Sequence, residues 1–187
     1  FPEHDSALAL DRKLAAVEGF YRERALPPRF QISPACQPPN LDRFLTSRGY
    51  ATESGVDIMI ANAASVARQT GSGVHVERLV EINSDWLDVH MAEAADGETK
   101  VRKGRMLARI ELPHLFALAV ADGKPVAAGL GICEEGWTGI FGMFTLAHER
   151  RRGHGHALLA AMADWTLAQG GTQTYLQVER DNPAALA

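Results

Sequence analysis

Apolar side chains at Leu10, Leu14, Val17 and Tyr21, with charges between them, keep the spacing of an amphipathic helix over residues 8–24, ending before Pro27-Pro28. Residues 29–33 (Arg-Phe-Gln-Ile-Ser) read as a short strand. After a proline-rich turn, Asn40 can cap a helix over 41–48 that Gly49 stops, and a strand follows at 56–60. The polar, glycine-rich run Arg68-Gln69-Thr70-Gly71-Ser72-Gly73 marks a boundary between a small unit, 1–70, and a larger one, 74–187. Beyond it the pattern predicts a strand over 74–82 and a helix capped by Asn83-Ser84-Asp85. That helix runs to residue 95 with Leu87, His90, Met91 and Ala94 on one face. A loop around Asp96-Gly97 and a helix near 101–110 complete the first half.

The second half changes period. Residues 115–120, 125–133 and 137–146 read as strands joined by the turns Asp122-Gly123 and Glu134-Glu135-Gly136, an antiparallel meander. A loop, a helix over 154–169 stopped by Gly170-Gly171, and a strand over 174–178 add one βαβ crossover. The fold class expected is α/β of the α+β kind, with a mixed sheet.

The 187 residues, 46% of them hydrophobic, are enough for a folded core, and the longest apolar runs fall short of a membrane span. No signal peptide is read at the start, so the cytoplasm is the expected compartment and no membrane partner is expected. Cys36 and Cys133 have no cysteine or histidine neighbours at ligand spacing, so neither a metal site nor a disulfide framework is expected. A net charge of −4 gives no global field for nucleic acid.

The basic cluster is local: Arg150-Arg151-Arg152-Gly153-His154-Gly155-His156-Ala157, between a strand and a helix. A helix N-terminus presents unpaired N–H groups and the positive end of the helix dipole, which together suit an anion. Gly153 and Gly155 let backbone approach a diphosphate, Ala157 keeps the next turn thin, and the arginines add charge. His154 and His156 contribute through their backbone amides. A short Gly-x-Gly is weak alone; the strand, loop, helix, strand order strengthens it.

Arg150-x-x-Gly153-x-Gly155, continuing His156-Ala157-Leu158-Leu159, resembles the Arg/Gln-x-x-Gly-x-Gly/Ala signature of the GNAT N-acetyltransferase superfamily. Met143-Phe144-Thr145-Leu146-Ala147 is similar to that family's fourth strand, Leu176-Gln177-Val178 to its fifth, and Asn182-Pro183-Ala184-Ala185-Leu186 to the helix start after it. The likeness covers residues 115–187, and the helix from Asn83 fits it. It implies acetyl-CoA as co-substrate and a primary amine as acceptor, with direct attack in a ternary complex. The diphosphate would lie on residues 150–157, the pantetheine arm against the backbone of Phe144, Thr145 and Leu146, and Asn182 in the same region. A homodimer is compatible with the family.

A base should deprotonate the amine and an acid should meet the departing thiolate. The family's strand-four glutamate falls near Gly139, which cannot serve, leaving Glu134, Glu135, His148 and His114 as base candidates. Each also has a plain structural role, as a solvated turn or a strand end. The family's tyrosine acid would fall just past Ala187, where both chain ends read as trimmed. Phe20-Tyr21-Arg22-Glu23-Arg24-Ala25-Leu26, with the strand and helix after it, resembles the closing part of a second, degenerate GNAT half. Two other readings stand beside the enzyme: an acyl-CoA sensor without turnover, and a nucleotide-binding βαβ enzyme with Glu179 on a ribose. Against the latter, residue 158 is Leu where a third glycine belongs, and residues 147–152 separate strand from glycines.

Overall fold

The computed structural model describes residues 9–53, 55–69, 73–93 and 96–182. Its chain forms two compact units, Phe1–Glu53 and Ser54–Ala187. In the first, helix α1 (Leu10–Arg22) buries Leu14 and helix α2 (Leu41–Ser47) buries Leu45. The Tyr50 hydroxyl donates to Glu18 at 3.0 Å, its ring meets Phe30 edge to face, and Arg48 pairs with Asp11. Asn40 precedes α2 but its side chain makes no capping bond, whereas Gly49 at φ +87° closes the helix as expected. The strand expected at 29–33 does not form. Those residues are irregular, and among the described residues of this unit no strand offers the backbone partners that an extended segment needs.

The second unit runs β1 (Val56–Asn62), α3 (Ala63–Ala67), β2 (His75–Leu79), α4 (Ser84–His90), α5 (Gly97–Leu107), β3 (His114–Ala121), β4 (Lys124–Glu134), β5 (Trp137–Thr145), α6 (His154–Ala168) and β6 (Gln173–Glu179). One six-stranded sheet has the order β1-β6-β5-β4-β3-β2. Every neighbouring pair is antiparallel except β5 and β6, which are parallel. The meander expected at 115–146 forms, and its turns place Asp122 and Gly123, then Glu135 and Gly136, in the left-handed region that tight hairpins use.

The division expected at 68–73 is corrected by β1. This strand pairs with β6 from Val56↔Glu179 to Asn62↔Gln173, so it belongs to the large sheet and the compact units part near residue 53. Sheet membership is decided by partners more than a hundred residues away, which a local glycine-rich run does not report. Residues 70–72 lie outside the described residues, as do 183–187, where a further helix was expected. The helix from Asn83 is capped as expected, its side chain accepting from Trp86 N, but ends at His90; residues 94 and 95 are also outside the described set. Helix α5 starts earlier than expected because Asp96 caps it, accepting from Thr99 N at 2.6 Å.

Alternation along the strands assigns the two faces. Leu115, Ala117, Ala119, Ala127 and Ile140 pack with Leu158 and Met162 of α6. Phe116, Leu118, Ala128 and Leu130 pack with Trp86 and Val89 of α4 and Leu107 of α5. Gly139 is pressed between rings: a Cβ there would lie 2.6 Å from Phe141 and 2.7 Å from the Tyr175 hydroxyl. Gly139→Val should therefore lower the urea midpoint by an amount equivalent to about 1–3 kcal/mol, the usual cost of overpacking. An unchanged midpoint would mean that the rings move aside freely.

Candidate acyl-carrier site

The site begins with a break in the sheet. β5 and β6 pair only from Trp137↔Gln173 to Ile140↔Leu176, although β5 continues to Thr145 and β6 to Glu179. The cause lies on the other side of β5. Between Ala128↔Phe144 and Leu130↔Phe141, Gly142 and Met143 oppose the single residue Gly129, a β-bulge with Gly142 at φ +57°. A bulge bends and twists its strand. β6, held along its whole length by β1, is unpaired with β5 past Leu176, so the two strands part toward their carboxyl ends.

Of the three backbone positions expected along the gap, the structure favours one. Leu146 N donates to Val126 O at 3.0 Å, so that amide is already engaged on the β4 side. Antiparallel alternation then turns Phe144 toward β4 and Thr145 toward the gap. The Thr145 carbonyl accepts from Arg150 Nε at 3.2 Å.

After β5 the chain makes a 3₁₀ turn over Ala147–Glu149 and enters α6 through Gly153. Arg151 (φ +65°) and Gly153 (φ +84°) are left-handed and Arg152 between them is not, the alternation that gathers successive N–H groups into an anion-binding concavity. Ala157 N closes the first turn on Gly153 O. The amides of His154, Gly155 and His156 ahead of it are those that helix geometry leaves without an internal acceptor. A Cβ built on Gly155 meets nothing within 4 Å, so there is open space beside that residue on the first turn of α6.

The arginines divide their work. Arg150 reaches Glu93 at 3.0 Å as well as Thr145 O, and Arg152 donates twice to Glu149, at 3.1 and 3.3 Å. Arg151 is exposed and makes no ion pair among the described residues. The side chain of Glu149, which sequence reasoning missed, is only 14% exposed and also accepts from His154 Nε2 at 3.1 Å. His154 is 5% exposed, so its imidazole is a strut beneath the loop. The His154 bond first, then the charges of Arg152 and the neighbouring histidines, hold the Glu149 carboxyl below its ordinary range.

The base candidates scatter. Glu134 and Glu135 are exposed at the turn that opens β5, about 26 Å along the strand from the loop at 3.3 Å per residue. His114 starts β3 at that same end, its ring nitrogens meeting the Leu112 and Val80 carbonyls at 2.8 and 3.0 Å. His148 lies at the right end but is 74% exposed. Asn182 is exposed just past β6, at the open end of the gap, its N–H donating to Glu179 O.

One histidine faces the bulge instead. His90, the last residue of α4, places Nδ1 3.0 Å from Gly142 O and stacks on Trp86 with centroids 4.7 Å apart. Trp86 is itself fixed by donating Nε1 to Gly129 O at 3.0 Å. Burial first, and the Lys103 ammonium second, hold the His90 pKa below its ordinary value, against the Gly142 bond. The i, i+4 pair Trp86 and His90 is visible in the sequence; the bulge that receives it is not.

The chain belongs to a family described as "Probable histone acetyltransferase Rv0428c C-terminal", whose model matches residues 3–187. No curated protein matches it. Among solved structures it is similar to a conserved protein of unknown function from Staphylococcus epidermidis (14% identity, 95% of this chain and 75% of that one, TM-score 0.64). It is also similar to a GCN5-related N-acetyltransferase from Kribbella flavida (19%, 75% and 54%, TM-score 0.55), of whose length it spans about half. An aminoglycoside acetyltransferase from an uncultured soil metagenomic sample, solved with sisomicin, gives 16% identity, 60% and 82% coverage, and a TM-score of 0.51. The fold is thus that of the GNAT superfamily, as the loop signature implied.

Because the folded Glu149 carboxyl titrates below its ordinary value, its contribution is complete above that range and is lost as pH falls through the folded value. Glu149→Gln should flatten the acid limb of a plot of melting temperature against pH. Parallel acid limbs for the two proteins would remove the carboxylate as a support of the loop.

Proposed function

We propose that this chain transfers an acetyl group from acetyl-CoA to a primary amine by direct attack in a ternary complex. The observation that carries the reading is the conjunction of β5 and β6 parting after Ile140 and Leu176 with the α6 N-terminus, whose first-turn amides lack internal acceptors and whose Gly155 has open space beside it. A thioester carrier with a diphosphate needs both: strand backbone to pair with its amide-containing arm and N–H groups to take its phosphates. Membership of a family named for acetyl transfer supports the same reading.

The residues present fit coenzyme A in kind. The amides of residues 154–156 and the Arg151 guanidinium would take the diphosphate, while Arg150 and Arg152, tied to carboxylates, shape the loop. Thr145 N–H would pair with the arm, and a backbone N–H beside the bulge would stabilise negative charge developing on a carbonyl oxygen. The coenzyme supplies an activated acyl group and a thiolate leaving group. Asn182, at the mouth of the gap, would bear on the arm. No helix among the described residues is long and apolar enough to cross a membrane, and we take acetyl-CoA and a soluble amine as the partners. Among the described residues no carboxylate or histidine cluster suited to a metal is found.

Gly155 gives a test on the first turn of α6, where an added Cβ meets nothing within 4 Å. Acetyl-CoA at a hundred times its Kd should stabilise the chain by about 2.7 kcal/mol, roughly 5–10 °C in Tm for a protein this size. Gly155→Trp should fold normally and lose the shift. Stabilisation by NAD and not by CoA would replace this reading with the dinucleotide one, and CoA binding without thiol release from any amine would favour a sensor.

A further inference from the structure

We propose that His90 is the general base of this site, with Nε2 taking the proton of the attacking amine; the assignment rests on the acyl-transfer reading above. The Gly142 carbonyl can only accept, so the His90 nitrogen 3.0 Å from it carries the hydrogen and donates. In the neutral ring this leaves the lone pair on Nε2. A carbonyl on the bulge therefore selects the tautomer, and the bulge is also where β5 leaves β6.

The ring's place is built from several sides. Trp86 lies against it at 29° between planes and is locked by its own bond to Gly129 O. Gly142 leaves the room: a Cβ there would stand 2.9 Å from His90 Cε1. Burial and Lys103 favour the neutral ring, so the lone pair is present near pH 7. Glu134, Glu135 and His114 lie at the far end of the strands, and no other described titratable group bonds to the bulge.

In the step itself, the amine nitrogen forms a bond to the thioester carbonyl carbon while its proton passes to Nε2. The carbon–sulfur bond breaks, sulfur leaving with the electron pair and taking a proton from water. The imidazolium then returns its proton to solvent, so the base is regenerated and the products are amide and free thiol.

His90→Asn separates the two ring functions, because an asparagine amide can reproduce the Nδ1 donor to Gly142 and has nothing at the Nε2 position. With acetyl-CoA, and spermidine or a lysine peptide as amine probe, the wild-type chain should release thiol. His90→Asn should bind acetyl-CoA with Kd within about twofold of wild type while kcat falls roughly 10²- to 10⁴-fold. In ¹⁵N-histidine spectra of the wild-type chain at pH 7, the His90 Nε2 should be the unprotonated nitrogen. Turnover by His90→Asn within threefold of wild type, or a protonated Nε2 at pH 7, would overturn the assignment while leaving acyl transfer intact. Failure of the wild-type chain to bind acetyl-CoA, or to acetylate either probe, would overturn the base together with the reading it rests on.

Discussion

The structure depends on one departure from regular pairing: two residues of β5 opposite one of β4, with glycine at the left-handed position. Without it β5 would run beside β6 to its end, and the polar groups now lining a gap would satisfy one another. With it, each strand keeps a full partner on its outer side, β4 for β5 and β1 for β6, so the sheet stays whole while its middle opens. The opening exposes backbone groups that cost free energy to bury unpaired, which is why such a cleft favours an occupant that can hydrogen-bond along a strand.

Electrostatics at the loop follow a similar logic of restraint. Three consecutive arginines would repel one another and bind any polyanion; Glu93 and Glu149 draw two of them into fixed positions. What remains toward solvent is Arg151 together with the partial positive charge of the α6 N-terminus. On the proposed reading, a site made this way would select by the geometry of its amides more than by net charge, in keeping with a chain whose overall charge is negative. His154, adjacent to the amides, bonds Glu149, so the side-chain network and the first turn of α6 form one piece.

Much of this was legible in the sequence, because local rules governed it. The hairpins follow from Asp122-Gly123 and Glu135-Gly136, and the α6 start from Gly153 and Gly155 after a strand. What was not legible depended on distant partners. β1 looked like part of a small first unit until its pairing with β6 was known, and residues 29–33 have strand composition but no strand beside them. Gly142 sits inside an apolar run where a bulge and an ordinary strand glycine look alike. Glu149 was visible, but nothing local singles it out, since its value comes from three side chains converging on it in space.

The same distinction explains where a base can come from in this chain. On β5, Gly139 is covered by the rings of Phe141 and Tyr175, so a carboxylate there would be both crowded and desolvated. On the proposed reading a titratable group must reach the bulge from another element, and α4 is the helix that touches it, through Trp86 in its first turn and His90 at its end. On the proposed reading, carrier binding would rest mainly on backbone amides, which any sequence compatible with the fold supplies, whereas proton transfer needs a particular side chain. A fold can therefore persist at the 14–19% identity seen among structures of similar fold while the side chain that moves a proton changes place.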